Sequence, residues 1–212
     1  MLPPACFRLP IMKSTGRTTH RVRRFLAAAA LTVAIGFPWA TLGQTPAARP
    51  SASCGDSALP APVNEALKTN FAGWRPLRVS DMDGDDPNIW RQEHPKECPG
   101  IAQGHFENMD SVSYALLLLP ATQRGTVGQW QIVISERESN ATPFVWKQLE
   151  RCEGKDCFAP VIYKEPPGKY VGFDETKSIH IKLDGIGVEF IQKGSYIYYW
   201  WQGRYHKFDT SD

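Results

Sequence analysis

Tyr114 to Leu119 is an unbroken apolar run with turn-forming sequence on both sides. Six apolar residues bounded in this way predict a strand buried on both faces. Upstream, Ile101 to Phe106 alternates loosely and Glu107 to Ser111 is polar and turn-like, so the two runs together read as a hairpin. Gln129 to Ser135 and Phe144 to Leu149 alternate apolar with polar residues, and Glu136 to Thr142 forms a long polar turn between them. That pattern predicts successive antiparallel strands. Glu150 to Thr176 has little periodicity and contains Pro166-Pro167-Gly168; it reads as a long loop, a common seat of binding.

The C-terminal third predicts a meander. Strands are expected at Ser178 to Leu183, Val188 to Gln192, Ser195 to Trp201 and Arg204 to Phe208. Asp184-Gly185, Lys193-Gly194 and Gln202-Gly203 supply the turns. Eight aromatic residues fall between Phe190 and Phe208. Tyr196, Tyr198 and Trp200 share one face of their strand, and Ile197, Tyr199 and Trp201 share the other. Two readings are open: a central strand covered on both sides, or one face left free as an aromatic recognition surface.

The N-terminal part carries the helical signals. Val63 to Asn70 places Val63, Ala66 and Leu67 on one face, and Trp74 to Val79 reads as a strand that Pro76 confines to an edge. In SDMDGDDPNIW, Asp86 is a candidate N-cap, Pro87 a first helical residue, and Ile89 and Trp90 a core-facing pair. The expected fold class is α+β, mostly antiparallel sheet with two short N-terminal helices.

Compartment changes the picture of charge. Arg17, Arg21, Arg23 and Arg24 precede an apolar, Ala-rich segment from Phe25 to Phe37, and small residues come after it. This predicts an export signal over residues 1–43, cut before Gln44, with Met12 as an alternative start. The apolar segment is shorter than the ~20 residues a membrane span needs, and a membrane anchor is the competing reading. Six of the 24 Lys plus Arg, and none of the 22 Asp plus Glu, fall in those residues. Residues 44–212 therefore hold 18 basic against 22 acidic residues, a net of −4. Nucleic-acid binding loses its compositional support, and the expected location is periplasmic. Gln44 to Pro62, rich in Ala, Pro and Ser, reads as a tether, and residues 63–212 as one globular domain.

Removing the signal takes Cys6 with it and leaves Cys54, Cys98, Cys152 and Cys157. An even count in an exported chain points to disulfides. Three pairings are open. Cys152 and Cys157 bracket a short loop, which leaves Cys54 to staple the N-terminal segment to Cys98; lipidation of Cys54 is the rival.

Gly104 to Leu116, GHFENMDSVSYAL, resembles a degenerate copy of the GDFDGDGxxDYAL element of FG-GAP and VCBS repeats, here following Cys98-Pro99-Gly100. Intact copies of that element hold calcium with acidic oxygens. The resemblance puts the ligand positions on His105, Glu107, Met109 and Ser113, of which only Glu107 keeps a carboxylate. It implies a turn that has kept its fold and lost its ion. A second calcium candidate is the alternating set Asp81, Asp83 and Asp85. As an EF-hand it fails, with Gly84 at the fourth position and Gln92 at the twelfth.

No GxSxG, HExxH, phosphate-loop or dinucleotide motif occurs, and His94, His105, His180 and His206 lie without metal-ligand spacing. The expected role is non-catalytic protein binding, as an inhibitor or immunity protein acting on a cell-wall hydrolase. Periplasmic lysozyme inhibitors look similar at this level; their Ser-Gly-x-x-Tyr loop is approximated by Gly194-Ser195-Tyr196. The candidate binding residues are Lys193, Ser195, Tyr196 and Tyr198, with no cofactor. A calcium-stabilised envelope module and an unrecognised hydrolase are the alternatives.

Overall fold

A computed structural model of the chain describes Cys54, residues 58–136 and residues 143–211. The expected signal, most of the expected tether and most of the turn after Glu136 lie outside these residues. Among the described residues no helix is long and apolar enough to cross a membrane.

The element order is α1 (Ala61–Asn70), β1 (Trp74–Pro76), a short 3-10 turn (Val79–Asp81), α2 (Asp86–Glu93), then strands alone. These are β2 (Ile101–Gly104), β3 (Ser113–Pro120), β4 (Trp130–Glu136), β5 (Val145–Cys152), β6 (Val161–Glu165) and β7 (Gly168–Val171). They continue with β8 (Ser178–Ile181), β9 (Gly185–Phe190), β10 (Gly194–Trp201) and β11 (Arg204–Ser211). The described residues are thus mostly antiparallel sheet with two short helices.

The apolar run at the centre of the sequence is the centre of the first sheet, ordered β1-β3-β4-β5. β1 and β2 share one edge of β3 end to end, β2 on Ser113 to Leu116 and β1 on Leu118 to Pro120. Alternation sends Ala115, Leu117 and Leu119 into one cluster and Leu116 and Leu118 into another. The first cluster joins Ile132 and Ile134 to Ile162, Ile186 and Val188 of a second sheet, ordered β11-β10-β9-β6. The second lies under Val63 and Leu67 of α1. Helix, sheet and sheet form three layers. Each of Leu116 to Leu119 is fully buried; at about 1.5–3 kcal/mol apiece, this strand concentrates more burial than α1 with its two buried positions.

The Cys-Pro-Gly before β2 has a packing reason. A Cβ at Gly100 would lie 2.5 Å from the Leu77 backbone nitrogen, so only glycine lets the two backbones pass. Leu117 N donates to Gly100 O at 3.0 Å, and Leu77 N to Leu117 O at 2.9 Å.

The sulfurs of Cys54 and Cys98 are at bonding distance with Cα atoms 5.3 Å apart, and those of Cys152 and Cys157 likewise at 5.7 Å. Cys54 therefore ties the start of the domain to the approach to β2. The packed domain also begins earlier than residue 63: Leu59 is buried, and α1 starts at Ala61.

The meander is only partly as expected. Gln202 and Gly203, at φ 49° and 81°, form a two-residue turn of the kind that matches strand twist. The turn before β10 spans Ile191 to Lys193, with Lys193 N donating to Phe190 O at 2.8 Å and Gly194 already in the strand. Asp184-Gly185 makes no hairpin. Asp184 is held by His105, exchanging His105 N to Asp184 Oδ2 at 2.8 Å and Asp184 N to His105 O at 3.2 Å. β8 consequently pairs with β7, and β9 takes β6 as its partner. Both β6 and β7 lie in the stretch whose sequence reads as loop.

Candidate functional site

Lys193, Ser195 and Tyr196 line one groove of 480 Å³, together with Phe173, Phe190 and Asp209. Local structure places them there. Where β10 meets β11 the register shifts between Ser195 and Tyr196, so Thr210 is the extra residue of a bulge. Ser195 Oγ lies 2.7 Å from Thr210 Oγ1 and 2.8 Å from Ser211 Oγ. Lys193 extends its ammonium over Phe158, 4.4 Å from the ring centroid. Phe158 directly follows Cys157, so the stapled loop and the β9–β10 turn meet. Phe173 is 58% exposed, and its backbone N donates to Asp209 O at 3.4 Å. It also borders a second groove of 310 Å³ lined by Lys177, Lys207 and Phe208.

Two of the expected binding residues are placed differently. Tyr196 and Tyr198 do not stand out from the sheet: both rings are buried on its inner face. Glu150 of β5 accepts from both hydroxyls, at 2.5 Å from Tyr196 and 2.8 Å from Tyr198. Burial and then that carboxylate push both phenols well above their ordinary range. Lys207 Nζ sits 3.4 Å from the Tyr196 ring centroid. Ile197 is buried on the opposite face, so this part of β10 is covered on both sides, and the open aromatic face is confined to exposed Trp201 at its end. The physical reason is that a phenol can enter a sheet interface when a carboxylate across it accepts the hydrogen bond of its hydroxyl.

The expected calcium set does not converge. Asp81 is buried and takes a two-pronged bond from Arg75, at 2.5 Å and 2.7 Å, besides the Arg78 backbone N at 2.8 Å. Asp83 accepts from the Thr126 hydroxyl at 2.8 Å. Asp85 precedes the first turn of α2 without a side-chain cap.

The degenerate turn after β2 is likewise closed by its own groups. Asn108 Oδ1 accepts from the backbone N of Asp110 and Ser111, at 2.9 Å and 2.8 Å, and from Ser111 Oγ at 3.0 Å. Met109 points outward at 63% exposure, while Ser113 is buried in β3. Glu107 turns toward Lys147, whose Nζ lies 3.3 Å away and also contacts Glu136. Burial, and then Glu136 beside it, push the Glu107 carboxyl up to about 7.

A third cluster was not legible in the sequence. Glu93, His94 and Glu189 can each bring a ligand atom within 4.8 Å of the other two. His94 Nδ1 lies 3.2 Å from Glu97 Oε2. The imidazole stacks on Trp90 at 4.2 Å and 18°, and meets the Tyr163 ring at 4.5 Å. Tyr163 in turn lies over Gly187, where a Cβ would meet its ring at 2.5 Å. The one available signal is the grouping of Glu93, His94 and Glu97 at the end of α2.

No family model, curated protein or solved structure matches the chain. Its function rests on the sites themselves.

Proposed function

We propose that this domain is a non-catalytic protein-binding module of the periplasm, acting as an inhibitor or immunity protein toward a cell-wall hydrolase. The observation that carries this reading is the groove in which Lys193, Ser195 and Phe173 come together beside the stapled loop. It offers an exposed aromatic anchor, a cation and hydroxyl groups on a rigid sheet end, and rigid presenters lose little entropy on docking. Two cysteine pairs at bonding distance suit an exported chain. The net charge of −4 beyond residue 43 favours encounter with basic wall-degrading enzymes.

The test is lysis by a panel of glycan- and peptide-cleaving wall hydrolases, with and without the purified domain. The expected result is inhibition of one class, weakened at least about 30-fold by Phe173→Ser combined with Lys193→Glu, a hot-spot loss of about 2 kcal/mol. Unchanged circular dichroism shows that the variant is folded. No inhibition of any class, or inhibition untouched by the substitutions, overturns the reading.

One observation favours the chain as a hydrolase itself: Glu107 and Glu136 flank a single ammonium, and Glu107 keeps its proton to about pH 7, as a general acid does. On that reading the domain alone cleaves a wall polymer, and Glu107→Gln abolishes the turnover.

A further inference from the structure

We propose that Glu93, His94 and Glu189 form a binding site for a divalent transition metal of the zinc class. The inference is independent of the groove and its partner. Three kinds of observation carry it.

The first is the donor set. One imidazole and two carboxylates, each able to place a ligand atom within 4.8 Å of the others, offer nitrogen and oxygen donors in the number that a catalytic zinc site takes from a protein, with water in the fourth position. An imidazole disfavours calcium and magnesium, which take oxygen alone, and suits zinc and its neighbours.

The second is the way the imidazole is held. Glu97 Oε2 engages Nδ1 at 3.2 Å, which fixes the tautomer and leaves Nε2 for an ion. Trp90 and Tyr163 fix the plane of the ring from two directions. Gly187, lacking a Cβ, makes the room that Tyr163 needs. A surface histidine with no role has no need of a carboxylate on one nitrogen and two aromatic rings against its faces.

The third is charge. Glu93, Glu189 and Glu97 place three carboxylates around one imidazole, a charge that a dication complements.

The geometry also explains how adjacent residues serve one ion. Neighbours in a helix diverge by about 100°, but His94 has left α2, with φ −123° and ψ 59°, so its side chain turns back toward that of Glu93. Glu189 rises from β9 to meet them.

The experiment is calorimetric titration of the untagged, oxidised chain with zinc chloride, paired with melting curves in zinc and in chelator. Saturable binding of one equivalent is expected, with a higher melting temperature in zinc and no comparable shift in calcium. His94→Ala and Glu189→Gln should each weaken binding by at least about tenfold, and Glu97→Gln by about 10–100-fold through loss of the ring's orientation. Absence of saturable binding, or binding that Glu189→Gln leaves intact, overturns the proposal. Glu189→Gln keeps the side chain's shape, so the test stands even if His94→Ala disrupts the stack on Trp90.

Discussion

The hydroxyl of Tyr196 donates to Glu150 Oε2 at 2.5 Å, joining β10 of one sheet to β5 of the other. The same oxygen accepts from Tyr198, whose ring meets that of Tyr196 edge-on at 5.6 Å. A residue that the sequence offers as a surface anchor is therefore a strut between sheets.

That strut gives the first prediction. Tyr196→Phe, which leaves the ring and removes the donor, should cost about 1.5–3 kcal/mol of stability, the range for a hydrogen bond to a charged acceptor. Tyr196→Ala should cost about 3–5 kcal/mol through the cavity it leaves. Denaturant melts read both values. Unaltered stability in Tyr196→Ala would mean that the ring is not in the core.

Asp81 and Arg75 give the second. The pair is largely shielded from solvent, with side-chain exposures of 9% and 17%. Asp81→Ala strands a guanidinium and should destabilise by about 3–5 kcal/mol. The loss should be equal in calcium and in chelator, because the carboxylate serves an arginine. A loss seen only in calcium would restore the acidic stretch as an ion site.

The third concerns pH. Burial and Glu136 raise the Glu107 carboxyl from 4.5 to about 7 in the folded chain, against the pull of Lys147. Tyr205 also faces this cluster, and its phenol is pushed up by burial and by Glu107. Between pH 4.5 and 7 the folded state binds the proton that the unfolded state has released, so this group's contribution to stability is complete below 4.5 and is lost as pH rises toward 7. Melting temperatures across that window should fall for the parent chain relative to Glu107→Gln. Parallel curves for the two would refute the assignment.

Gly187 gives the fourth. A methyl group there meets the Tyr163 ring at 2.5–2.6 Å, so Gly187→Ala must displace the ring that braces His94. Overpacking of this kind costs about 1–3 kcal/mol. Tyr163→Leu in the same background should recover part of the loss, measured by thermal melting; no recovery would place the clash elsewhere.

Local sequence determined a good deal of this protein. The apolar run of β3, the alternation in β4 and the Gln202-Gly203 turn carry their own structure, because strand burial and turn type depend on residues only a few positions apart. The even set of cysteines beyond residue 43 likewise limits the possible pairings to three. The groove was legible in part, since Lys193 and Ser195 belong to one hairpin, whereas Phe173 reaches it from a segment with no periodicity. Strand partners were decided by tertiary structure. β9 pairs with β6 because Asp184 is tied to His105, 79 residues away, and no hairpin turn forms there. Glu150 and Tyr196 are 46 residues apart, and no local period links them. The same holds for His94 and Glu189, which are 95 residues apart and meet only in the folded chain. Proximity of that kind depends on how sheets and helices stack, which short-range alternation of apolar and polar residues does not encode.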